Sequence, residues 1–440
     1  MTVTDVAGAM PAAQRRREFR RVILSSYLGS AIEFYDFLLY STAASLVFGP
    51  VFFSNLAPLA ATVASFGTFA AGYLARPLGG VVFGHFGDRL GRKRMLVVSM
   101  TVMGTASFLI GLIPPAAVIG SWGAVILVLL RICQGIAVGG EWGGAALMSL
   151  EHADKKRRGF AASFTNAGAP TGAVLGTMMM GLFSALPREE FLAWGWRIPF
   201  LFSALLLVLG LFVRSRVSES PLFQAAMEQS GEKKPSVPIL QVLRRPKNLV
   251  LTAFGSSAMF ALQVMLATFA MTYAVEQGSG QQTVLFCFAL SSVTQIFTVI
   301  ACGRLSDIVG RRPVMISGIV LFVALLYPML QWWASSSVLL IFLAFLLGKT
   351  TLGLVYGPMA AFISEQFGTT ARYTGASLGY QLATLLGAGL TPMILTSLYA
   401  ATGRDVMSVV WFLAAVGLIS TVAILLTRES KGTELTQENF

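Results

Sequence analysis

The chain is written as long apolar runs separated by short polar turns. A membrane-crossing helix needs about 20 mostly apolar residues. Runs of that kind recur over 22–48, 58–84, 95–115, 122–150, 159–185, 196–214, 247–273, 283–304, 314–333, 337–362, 373–400 and 405–427. The pattern predicts an all-α polytopic membrane protein of twelve spans. The longest polar stretch, 215–246, divides the spans six and six. The predicted organisation is a tail over 1–21, a six-helix half over 22–214, a linker over 215–246, a second half over 247–427 and a tail over 428–440.

The halves echo each other. Gly84, Asp88, Gly91 and Arg92 of "GHFGDRLGRK" return at one constant offset as Gly303, Asp307, Gly310 and Arg311 of "GRLSDIVGRR". Glu151 precedes Arg158 by the same interval as Glu365 precedes Arg372. Two parallel six-helix repeats with binding between them form one of the transporter architectures.

Composition supports this reading. The chain is 55% hydrophobic and 12% charged, with a mean hydropathy of +0.72. Soluble domains carry about 25% charged residues, so most of the exterior is expected to face lipid. The net charge of +12 does not indicate nucleic acid, because the bases punctuate apolar runs and form no continuous face. They gather instead on the side of both termini: Arg15 to Arg21, "DRLGRKR", "DKKRR", the linker, "GRLSDIVGRR", Arg372, Arg428 and Lys431. The opposite turns hold Arg188, Arg197 and Arg404. That bias predicts cytoplasmic termini. The first run is too long for a signal-peptide core and contains acids, so it is expected to be retained as the first span.

Enzyme chemistry finds little support. Cys133, Cys287 and Cys302 lie inside apolar runs without paired spacing. His85 and His152 are far apart, so zinc is not expected. "GKTT" at 348–351 lacks the upstream glycine of a phosphate loop, with Leu343 in its place. No cofactor is expected, and an ion gradient is the expected energy source.

The charges inside the spans carry the functional argument. At about 100° per residue, Ser26, Ser30, Glu33, Asp36 and Tyr40 share one face of the first helix. A buried charge without a partner is costly, so this stripe is expected to line a wet cavity. Arg131, in the middle of span four, is the expected counter-charge. Either Glu33 or Asp36 titrates against it, or the pair is a fixed lock between spans one and four. Glu141 is a third intramembrane acid, and Arg76 is placed for helix packing or gating. Lys349 either faces the interior, where it suits an anionic substrate, or snorkels to the interface. Tyr380, Gln381 and Gln263 are candidate hydrogen-bonding partners for substrate. Gly168, Gly172 and Gly176, like Gly375, Gly379 and Gly387, form small-residue stripes for close helix packing.

The loop built from Gly84, Asp88, Arg89, Gly91, Arg92 and Lys93 resembles the signature of the major facilitator superfamily. "GSAIEFYDF", "ARPLGGVVFGHFGDRLGRKRM", "RICQGIAVGGEWGGAALMSLE", "WGWRIPF" and "ARYTGASLGYQ" are similar to its metabolite:proton symporters. That group includes permeases for shikimate, α-ketoglutarate, citrate and proline/betaine, and the look is closest to the shikimate branch. The resemblance implies a monomeric inner-membrane symporter of protons and a small organic acid. Uptake of a zwitterion such as betaine or proline, or drug export, is the alternative. It also implies that the loop is a gate latch, with Asp307, Gly310 and Arg311 as its second copy. Ile308 replaces Arg89 there, so a thinner charge network is expected.

Overall fold

A computed structural model describes residues 12–219, 238–244, 246–335, 337–368, 371–389 and 391–432. Twelve long helical segments follow the apolar runs. In the first half they are α1 (Ala12–Leu46), α2 (Pro58–Leu90), α3 (Arg92–Leu112), α4 (Trp122–Glu151), α5 (Arg158–Ser184) and α6 (Arg197–Ser215). In the second half, α7 (Pro246–Ala267) continues after Thr268 as Phe269–Glu276. It is followed by α8 (Gln281–Val309), α9 (Arg311–Trp333) and α10 (Val338–Ser364). The eleventh segment, α11, runs over Arg372–Thr384, passes through a π-helical turn at Leu385–Gly389 and resumes as Thr391–Ala401. The last, α12, is Val406–Leu426. The first helix starts inside the predicted tail and carries Arg16 to Arg21 beyond its apolar run.

Among the described residues, ten helical stretches are long and apolar enough to cross a membrane. Those of α2 and α5 fall outside that set although both are long. Most of their Gly, Ala, Ser and Thr face protein in place of lipid: α5 packs on α1, α8 and α10, and α2 on α4 and α11. Without a hydrophobic drive between helices in lipid, small residues permit the approach. A Cβ at Gly168, Gly172 or Gly176 would lie 2.5, 2.1 or 2.8 Å from the carbonyl oxygen of Tyr27, Ala31 or Tyr35. On α11, a Cβ at Gly387 would lie 2.2 Å from the Ser257 carbonyl oxygen.

The halves meet along α2 with α11 and α5 with α8 and α10. These contacts gather at the end bearing the α2–α3 and α8–α9 turns, the basic end. One apolar cluster, around Trp142, Ala167, Phe260, Tyr356 and Met359, draws on both halves. Toward the other end the core divides. Phe48, Phe52, Trp196 and Phe200 belong to the first half, and Leu266, Phe269, Trp333 and Tyr399 to the second. The core is thus closed at the basic end and split at the opposite one.

Candidate functional site: a latched end and a charged cavity

Gly91 and Gly310 have φ of 106° and 121°, a region open to glycine at little steric cost. They turn α2 into α3 and α8 into α9, and so aim two aspartates across the interface. The Asp88 carboxylate accepts from the Tyr373 N–H (3.2 Å), the Thr374 N–H (3.0 Å) and the Thr374 hydroxyl (2.9 Å). Asp307 accepts from the N–H groups of Gly159 and Phe160, both at 2.8 Å. Each aspartate therefore caps a helix of the opposite half, where free N–H groups and the helix dipole favour negative charge. Gly84 allows the approach, since a Cβ there would lie 2.6 Å from Thr374 Cα.

Ion pairs stand behind both caps. Glu151 meets Arg92 at 3.0 Å and Arg372 at 3.2 Å, with all three side chains buried. Arg311 joins Asp307 (2.7 Å) to Glu365 (3.3 Å). The second copy therefore keeps a buried charge network of its own. Ile308, in the place of half-buried Arg89, is 65% exposed, and the work of bridging falls to Arg311. Lys93 donates to the Ser215 carbonyl at 3.0 Å. Two glutamates escaped the sequence reading. Glu219 caps α3 through the Arg92 and Lys93 N–H groups, and Glu429 caps α9 through those of Arg311 and Arg312. Both follow the last helix of their half, at an offset that differs from that of the loop repeat.

Deeper in the first half, Glu33, Asp36, Arg76, Arg131 and Gln134 line a small cavity of about 10 Å³, room for roughly one water. The expected Asp36–Arg131 ion pair is not made. Asp36 accepts from the Ser107 and Ser203 hydroxyls, each at 2.7 Å. Gln134 donates to Ser107 (2.7 Å) and accepts from Arg131 (3.1 Å). Carboxylate and guanidinium are thus joined through two intervening side chains. Arg131 is held elsewhere by aromatic faces, with its guanidinium carbon 4.1 Å from the Tyr40 ring centroid and 5.1 Å from that of Phe69. Arg76 also lines the cavity, stacked over Tyr73 at 4.4 Å, while its backbone packs against Gly139 of α4.

Glu33 is 3% exposed, and its Oε2 has no hydrogen-bond partner among the described residues. Its stripe is only partly given to the cavity: Ser26 bonds the Ala145 carbonyl and Tyr40 the Thr68 hydroxyl. Glu141 stands apart. It is ion-paired with Arg214, whose Nη1 lies 2.9 Å from Oε2, and accepts from Ser99 at 2.7 Å. Arg214 lies at the end of α6, beside the linker. Gly29 leaves it room, since a Cβ there would overlap the guanidinium.

Above the cavity the halves touch through rings. Tyr380 stacks on Trp142 with centroids 3.7 Å apart and meets the edge of Phe260. Its hydroxyl lies 3.3 Å from that of Tyr356. Trp142 donates to Asn166 (2.8 Å), which donates to the Tyr356 carbonyl (2.6 Å). Gln381 donates to the Gly139 carbonyl at 3.3 Å, while its Oε1 has no partner among the described residues. Gln263 is half-buried, one turn along α7 from Phe260. Lys349 is 4% exposed, with Nζ 4.1 Å from the Phe288 ring centroid and no acidic partner among the described residues. That burial removes the snorkelling alternative. Relative to Glu365, Lys349 sits one turn nearer than Arg131 does to Glu151.

Known proteins share this fold. The model of the Major Facilitator Superfamily matches residues 26–293 and 278–439. The Escherichia coli K12 inner membrane metabolite transport protein YhjE is 39% identical over 93% of this chain and 94% of its own. The shikimate transporter of the same organism is 38% identical over 94% and 95%, and the proline/betaine transporter of Salmonella typhimurium 33% over 92% and 83%. Among solved structures, the proton:xylose symporter XylE bound to 6-bromo-6-deoxy-D-glucose superposes with a TM-score of 0.79 at 17% identity, covering 96% of this chain and 98% of its own. Twelve helices in two repeats, latched across their interface by a duplicated Asp–Gly–Arg turn, identify the chain as a multi-pass membrane transporter belonging to the major facilitator superfamily.

Proposed function

We propose that the protein imports a small organic acid together with protons, by alternating access, with both termini in the cytoplasm. The two halves rock about the interface, joined by the 215–246 segment. The basic end is then the cytoplasmic gate, closed here by Asp88 and Asp307, and substrate enters through the split end.

Glu33 carries this reading. It is a buried carboxyl with an unpartnered oxygen and, among the described residues, no ion pair, in a cavity that also holds Arg76 and Arg131. A carboxyl so placed costs less neutral than charged, and it gains a counter-charge only when neighbouring groups move. Asp36, with both oxygens occupied, fixes α1 to α3 and α6 and reports on Arg131 through Ser107 and Gln134. Lys349 supplies the counter-charge for a substrate carboxylate. Tyr380 and Gln381 close over the substrate between the halves.

A zwitterionic substrate is the second reading, favoured by the 33% identity to a proline/betaine transporter. The test is uptake of labelled shikimate and labelled betaine into proteoliposomes, with an inside-alkaline pH gradient imposed or collapsed. Gradient-dependent shikimate uptake supports the proposal. Betaine uptake alone replaces it with the second reading.

A further inference from the structure

A second cleft, of about 690 Å³, runs between α1, α5 and α8 outside the transport pathway. Its mouth, at the basic end, carries Arg16 and Arg20 from α1 and Arg157 from the turn before α5. All three are exposed. None makes an ion pair among the described residues. No acidic residue among the described ones lines the cleft. Below the mouth the wall is apolar, built from Phe19, Tyr27, Phe160, Phe164, Ile296 and Ile300. Ile296 lies 13 residues before the end of α8, so the wall descends roughly 20 Å at 1.5 Å per residue. That depth matches about one leaflet of a bilayer whose hydrocarbon core is about 30 Å thick.

A general anchoring role for bases at this end does not account for three guanidinium groups from two elements converging on one apolar slot. Guanidinium groups bind phosphate oxygens in forked pairs, and basic pockets between membrane helices take anionic headgroups. We infer that the cleft seats an anionic phospholipid, its phosphate on Arg16, Arg20 and Arg157 and an acyl chain along Phe164, Ile296 and Ile300. The seat spans both halves, since α1 and α5 belong to the first and α8 to the second. Phe160 in its wall also donates its N–H to Asp307. A lipid in place therefore braces the latched state of the gate.

The test is native mass spectrometry of the delipidated full-length protein titrated with phosphatidylglycerol and with phosphatidylcholine of identical chains. Three basic side chains at an anionic headgroup predict at least about a tenfold preference for phosphatidylglycerol. The preference disappears in Arg16→Gln/Arg20→Gln/Arg157→Gln, whose exposed positions leave the unfolding midpoint without added lipid unchanged. Ile296→Trp fills the wall and loses the lipid while keeping all three arginines. Glycerol 3-phosphate, a headgroup without chains, does not compete. Equal retention of both lipids overturns the inference, as does a preference that survives the triple variant. Displacement by glycerol 3-phosphate overturns it too, by showing an anion site without a lipid seat.

Discussion

Replacing Asp88 with asparagine isolates the latch from everything else in the molecule. The carboxylate takes three donors through two oxygens, and an amide offers one oxygen and places an NH2 against the other donors. At least one bond to a charged acceptor is lost, about 1.5–3 kcal/mol, and the favourable charge at the α11 N-terminus goes with it, about 0.3–1 kcal/mol. These losses fall on the closed arrangement, because an open gate returns Asp88 to water. The closed arrangement should therefore lose about 2–4 kcal/mol, which raises the open population roughly thirty- to several-hundredfold at tenfold per 1.4 kcal/mol. The reporter is Ser377→Cys on α11, in a background with Cys133, Cys287 and Cys302 replaced by serine. Ser377 is fully buried beside Gly143 and its hydroxyl has no hydrogen bond to lose. Maleimide labelling in membrane vesicles then follows the open population. Asp88→Asn should speed labelling by at least about tenfold, while Met100→Cys, in the core of the first half, stays unlabelled. Equal labelling rates with and without the Asp88→Asn substitution would refute the argument.

Four further outcomes follow from the geometry. Arg214→Leu strands the buried Glu141 and should cost about 3–5 kcal/mol, read as a fall in the unfolding midpoint that Glu141→Leu in the same chain partly restores. Gly172→Ala drives a Cβ to 2.1 Å from the Ala31 carbonyl oxygen and should destabilise by about 1–3 kcal/mol, whereas Gly181→Ala, in open space, should be neutral in the same melt. Lys349→Met removes a buried, unpaired charge, so the midpoint should hold or rise while shikimate uptake falls. Burial holds the His152 imidazole below its usual 6.5, against the opposing pull of its Met148 hydrogen bond and of Glu151, Glu18 and Glu219. The unfolded chain then binds the proton more readily, so stability should fall as pH drops from 7 toward 5, and His152→Gln should flatten that part of the melting profile.

The spans, the duplicated turn and the glycine stripes were legible because each is a local pattern: apolar length, a repeated motif, a four-residue spacing. What stayed hidden depends on competition between distant side chains. Arg131 and Asp36 sit at suitable depths on neighbouring helices, yet Tyr40 and Phe69 take the guanidinium and two serines take the carboxylate. Span position alone cannot rank those partners. Arg214 stands at a span end, and only the third dimension brings it under Gly29 to Glu141. Trp142 on Tyr380 is a contact between halves that no periodicity announces.

Proton coupling, as proposed, rests on a carboxyl in the first-half cavity. Its most direct test compares wild type with Glu33→Gln in proteoliposomes, measuring gradient-driven shikimate accumulation and gradient-free counterflow on one preparation. Glu33→Gln should keep counterflow and lose accumulation, because binding and rocking survive while the proton has no carrier. Accumulation at the wild-type level in Glu33→Gln would contradict the account.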